Sequence, residues 1–183
     1  MNRDEALNEL KTRLTDKNLI KHSLAVESVM KEVAVYLKED ADSWGLAGLL
    51  HNIDYEKTKN EPEKQSAVGA RILEDLGLDG SIVYAVKAHN SLHGIKRKRK
   101  MDKILYAADP MSKLIIATAL ILPSRKLEDI DIAFLSKKFH EKEFLNEVDR
   151  RQIKECEEAG FILRQFIEIS LNAIKKISKD LDM

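Results

Sequence analysis

Apolar residues along this chain mostly recur at intervals of three and four, the period of a helix and not of a strand. Only seven glycines and three prolines interrupt its 183 residues, so a sheet and its turns have little to be built from. The expected fold class is therefore all-α. A first helix is predicted over Asp4 to Leu14, with Leu7, Leu10 and Leu14 on one face. A second begins near Asn18 and carries an apolar stripe of Leu19, Val26, Met30, Val33 and Leu37. His22 lies on that stripe, so an imidazole points inward. Asp42 or Ser43 is expected to cap a third helix, which runs through Leu46, Leu49 and Leu50 to His51. Pro62 suits the first turn of a fourth helix that stops at Leu76, where Gly77 can turn left-handed. Asp79 caps a fifth, bearing Ile82, Ala85, Val86 and His89 on one face. The basic segment Lys96-Arg97-Lys98-Arg99-Lys100 follows, and a sixth helix starts near Met101. Pro110 is expected to bend or restart it, and Pro123 marks the next stop. Beyond Leu127 the pattern predicts shorter helices, one capped by Asp131 and one over Asn146 to Glu158 with Gly160 as a break. A final amphipathic helix is expected over about Phe161 to Leu181.

The length suits one domain over residues 1–183, and 44% hydrophobic with 34% charged residues supports a core inside a solvated surface. Lys plus Arg and Asp plus Glu both number 31, so no global field draws the chain to nucleic acid or to an anionic membrane. Cys156 is the only cysteine, which excludes an intrachain disulfide. With the charged start Met1-Asn2-Arg3-Asp4-Glu5, which lacks the apolar core of a signal peptide, this points to the cytoplasm. The longest apolar run, Leu114 to Leu122, is far short of the roughly 20 residues that span a bilayer. Residues 125–183 hold no recognisable cluster of ligand or nucleophile types. They read as scaffold, and the last helix offers a face for a homodimer.

Four features carry chemistry: His22 on its stripe, His51-Asn52 ending the third helix, His89 ending the fifth, and Asp109 beside a proline. A lone histidine on an apolar face is usually a hydrogen-bonded core residue. Together, imidazoles and a carboxylate from separate helices are what first-row divalent metals take from a helical bundle. Cysteine pairs, a glycine-rich phosphate loop and a Gly-x-Ser-x-Gly elbow are all missing, which removes zinc-finger, P-loop, Rossmann and serine-hydrolase readings.

The order His22, His51-Asn52, Asp109 resembles the HD superfamily, whose pattern is a histidine, a His-Asp pair and a downstream aspartate. Gly48-Leu49-Leu50-His51-Asn52-Ile53-Asp54-Tyr55-Glu56 is similar to the HDIG-type variant, and Tyr106-Ala107-Ala108-Asp109 to its last motif. The likeness covers roughly residues 18–120. It implies an HD-domain-like helical bundle, a central divalent ion and hydrolysis of a phosphate ester or anhydride, with a nucleotide or related phosphoester as substrate. The implied metal ligands are His22, His51, Asn52 and Asp109, and the ion is one of manganese, iron, nickel, cobalt, zinc or magnesium. Asn52 departs from the motif aspartate and Gln65 from a histidine that two-metal relatives often carry, so a single, weakly bound ion is expected. Asp54 and Glu56 are candidates for general base or supporting carboxylate, although short acidic residues at a helix end are more often caps. Lys57, His89 and His93 are candidates for substrate phosphates, aided by the basic run, while His140 reads as a surface residue. The alternative is a catalytically silent HD-like module that binds a nucleotide or partner without turning it over.

Overall fold

The computed structural model describes all 183 residues, and every regular element in it is helical. The first helix, α1 (Arg3–Arg13), is set by a capping box: Asn2 accepts from the Glu5 backbone N–H, and Glu5 from that of Asn2. Asp16 caps α2 (Lys17–Leu37), which buries Val26, Met30 and Val33 on the face that carries His22. The cap of α3 (Ala41–Leu50) is Asp40, not Asp42 or Ser43; its carboxylate accepts from the Asp42 N–H and the Ser43 hydroxyl. A short α4 (Tyr55–Thr58) precedes α5 (Ala67–Asp75). Pro62 does not open that helix as expected. Residues 62–66 form turns instead, because Ser66 adopts a φ of 69°, which interrupts the helix until Ala67. Asp79 caps α6 (Gly80–Ala88), as its position implied.

The helix α7 (Lys100–Leu120) runs through Pro110 without restarting. Proline removes the N–H that would bind the Tyr106 carbonyl one turn back. The side chain of Gln152 donates to that carbonyl at 2.9 Å, so the freed acceptor is satisfied and the helix continues. Gln152 belongs to α9 (Arg150–Lys154), which follows α8 (Ile132–His140). Asp149 starts α9 later than the predicted Asn146, and residues Glu155–Ala159 continue as a tighter 3₁₀ turn that Gly160 ends at φ 96°. The final helix is divided at Ile177 into α10 (Leu163–Lys176) and α11 (Ser178–Leu181). The long helices α2 and α7 pack on each other; α3 and α10 lie on α2, while α6 and α9 lie on α7. One continuous buried core joins them from Ala6 to Leu181. No helix is long and apolar enough to cross a membrane.

Two groups in the second half lend themselves to direct tests. The Arg150 guanidinium donates to the carbonyls of Phe139, Glu141, Phe144, Leu145 and Val148, gathering the segment between α8 and α9 around one cation. Truncation by Arg150→Ala strands several carbonyls at once and is expected to cost about 2–3 kcal/mol in a urea melt. A loss below about 0.5 kcal/mol would mean water replaces the guanidinium freely. Cys156 is fully buried, and burial pushes its thiol up to about 12. The folded protein should therefore give no reaction with a thiol reagent at about pH 8, and the denatured chain one equivalent.

Candidate metal centre

Four helices deliver the site. His22 comes from the second turn of α2, Asp109 from the middle of α7, and His51 and His89 directly follow the last turns of α3 and α6. The His22 and His51 rings meet edge to face at 5.2 Å, and the His51 and His89 rings at 5.3 Å. Asp109 Oδ1 lies 3.0 Å from His22 Nε2 and 3.9 Å from His51 Nε2. One ligand atom from each of these three residues falls within 4.8 Å of the others.

These spacings suit a divalent ion. With bonds of about 2.0–2.2 Å, the atoms bound to one ion stand roughly 3–4 Å apart. Both ring nitrogens of His22 and Oδ1 of Asp109 are buried, and none makes a well-formed hydrogen bond. Buried polar atoms are rarely left so, and the side on which His22 Nε2 faces Asp109 Oδ1 at 3.0 Å is one that a cation could complete. His22, His51 and Asp109 therefore fit a metal.

The remaining residues oppose one. The Gly48 carbonyl can only accept, so at 2.7 Å it fixes the His51 proton on Nδ1 and leaves a lone pair on Nε2. Asn52 Nδ2 donates to that lone pair at 2.7 Å. Its Oδ1 in turn accepts from Gln65 Nε2 at 3.0 Å. A single polarity runs through the four groups and is set by the backbone at one end. In it the Asn52 amide covers the His51 atom that a metal would need. Lys113, one turn beyond Asp109, places its ammonium 2.8 Å from Oδ1. Burial alone would push the Asp109 carboxyl up, but Lys113 first and His22 second hold it well below the usual carboxylate range. Burial also keeps His51 well below the ordinary histidine value, and His89 below it, so both rings are neutral at pH 7.

The other predicted site residues are dispersed. Asp54 is buried, and its Oδ2 accepts from the Ser66 and Gly69 N–H groups at 2.8 Å each, capping α5 from a distance and holding Ser66 in its left-handed conformation. A Cβ on Gly69 would press on that carboxylate at 3.2 Å, and burial raises the Asp54 pKa. Glu56 is turned to the α1–α2 junction, where it accepts from the Thr15 and Asp16 N–H groups at 2.6 and 2.8 Å. That duty accounts for the carboxylate without a place in the cluster. Lys57 is exposed, and His93 Nε2 bonds the Gln65 carbonyl at 2.6 Å. Of the three phosphate-binding candidates only His89 lines the adjoining cleft, whose volume is about 230 Å³. The basic run is not a free loop. Arg97 stacks 3.7 Å over Tyr106 and pairs with Glu155, while Asp102 accepts from the Lys98 and Arg99 N–H groups. His140 is exposed.

Tyr55, Tyr106, Lys113 and Gln152 also line the cleft, and sequence reasoning passed over all four. Lys113 had one signal, its place one helical turn beyond Asp109. A family model described as HD domain matches residues 19–117, a stretch that spans His22, His51, Asn52, His89 and Asp109. No curated protein and no solved structure matches the chain.

Proposed function

The chain belongs to the HD domain family, and from that premise we propose that it is a divalent-metal-dependent phosphohydrolase acting on a nucleotide or related small phosphoester. The observation that carries the reading is the convergence of His22, His51 and Asp109, each offering a ligand atom within 4.8 Å of the others, with the His22 ring nitrogens making no well-formed hydrogen bond. His22 Nε2, His51 Nε2 and Asp109 Oδ1 would hold one ion. When bound, such an ion supplies Lewis acidity toward a phosphoryl oxygen and a lowered pKa for water.

The chain's own residues do the rest. Neutral His89 can accept or relay a proton at the cleft wall, and the amides of Asn90 and Gln152 line the same wall with two tyrosines. Asp54 holds the α5 entry against this wall and so shapes it without touching substrate. A cytoplasmic setting with a soluble nucleotide as partner is the natural one for such a cleft.

The test is direct. Purified without chelator and supplied with excess Mn²⁺, the protein should hydrolyse at least one member of a panel of nucleotides and phosphomonoesters, and chelator should remove the activity. Bound Mn²⁺ with no turnover on any panel member would overturn the reading. A second reading, a silent module that binds a nucleotide without cleaving it, is favoured by the Asn52 amide on His51 Nε2. It expects nucleotide binding that persists in chelator.

A further inference from the structure

Two side chains of this chain already occupy the atoms a cation would take. Lys113 Nζ lies 2.8 Å from Asp109 Oδ1, the oxygen that also faces His22 and His51. Asn52 Nδ2 lies 2.7 Å from His51 Nε2 and is held in that orientation by Gln65, whose own amide donates to Asn52 Oδ1. Lys113 is half exposed and lines the cleft, so it is free to swing into solvent, whereas Asn52 is buried and can present its oxygen only by reversing an amide that Gln65 holds.

We propose that Lys113 is the resident counterion of the centre and competes with the metal for Asp109, with Gln65 acting beside it by keeping Asn52 in its donor orientation. An ammonium and a dication cannot share one carboxylate oxygen without strong repulsion at such short range. Metal entry therefore requires the Lys113 ammonium to leave, and the centre is stable without metal because the two side chains complete it. This rests on the one-metal reading and adds to it the residues that set occupancy.

The experiment is a calorimetric titration with Mn²⁺ alone of the unaltered protein, Lys113→Met, Lys113→Gln and Gln65→Met, with the same lysine change repeated in an Asn52→Asp background. Thermal melts in chelator and in Mn²⁺ accompany it. Both lysine variants should bind Mn²⁺ about tenfold more tightly, a factor of about 1.4 kcal/mol, and Gln65→Met should tighten it by a smaller factor. Both lysine variants should melt lower in chelator and gain more from Mn²⁺ than the unaltered protein. If Mn²⁺ binds but neither lysine change tightens it, in either background, Lys113 is not a competitor and only this inference falls. If no variant binds Mn²⁺, including Asn52→Asp with Lys113→Met, the one-metal reading falls with it.

Discussion

Asn52→Asp should tighten Mn²⁺ binding by about 10–100-fold, the range seen when a group that tunes a metal ligand is changed, and raise any metal-dependent hydrolysis with it. The reason is the direction of one hydrogen bond. His51 Nε2 presents a lone pair, because its Nδ1 proton is committed to the Gly48 carbonyl, and Asn52 meets that lone pair with an N–H at 2.7 Å. A carboxylate has no hydrogen to offer. In the variant two sets of lone pairs face each other in a buried place, and a cation between them relieves both. Gln65 can still donate to one carboxylate oxygen, so the new group stays oriented. The metal-free variant should lose about 1–3 kcal/mol, the usual cost of an unpaired buried polar group, and recover it when Mn²⁺ is added. Calorimetric titration and melts in chelator check the two halves separately. His51→Ala in the same background should abolish the gain. Equal Mn²⁺ affinity for Asn52 and Asn52→Asp would show that position 52 does not address the metal.

The residues of this cluster stood out in the sequence because they sit on local patterns. His22 falls on the apolar stripe of α2, which alone sends it inward; His89 follows the apolar face of α6, and His51 follows an α3 whose second half is buried nearly all round. Asp109 was legible only through its motif, since Pro110 argued for a break in the helix that carries it. What repaired that helix is Gln152, 46 residues downstream, and no local rule couples the two. The same limit explains the missed caps. Ser66 looked like helix interior, yet its left-handed turn depends on Asp54, 12 residues earlier, and Glu56 serves a junction some 40 residues before it. Short polar residues near a helix end always have a local reading as caps, so distant partners are invisible until the helices are packed. Asn52 and Gln65 were recognised as departures from a pattern. That they compensate each other depends on a 3.0 Å contact that their 13-residue separation does not imply. Lys113 fell outside the motifs altogether and could be found only by looking one helical turn past Asp109.

Gly48→Ala should cost about 3 kcal/mol or more, the upper end for forcing volume into a packed core, or prevent folding at 37 °C. A Cβ at Gly48 would stand 2.9 Å from Glu27 Cα, Glu27 N and the Val26 carbonyl oxygen, all backbone of α2, and no rotamer change can move them. The two helices would have to move apart at this crossing. Gly45, one turn earlier on α3, provides the control. The three atoms nearest its added Cβ are all carbons of the Lys31 side chain, and a lysine stem can swing aside. Gly45→Ala should change stability by less than about 1 kcal/mol, with the higher helix propensity of alanine offsetting the displaced Lys31–Glu27 pair. The contrast bears on the centre as well as the fold, because the Gly48 carbonyl holds His51 Nδ1–H while α2 carries His22. The closeness of α2 and α3 at Gly48 therefore sets the separation of the two histidines proposed to hold the metal. A cavity-free shift of α3 by even a few tenths of an ångström would spread His22 from His51, so under conditions where the Gly48→Ala protein still folds it should bind Mn²⁺ more weakly than Gly45→Ala. Chemical denaturation and Mn²⁺ titration of the two variants side by side measure both effects, and equal stabilities would mean that α2 and α3 are not locked at this point.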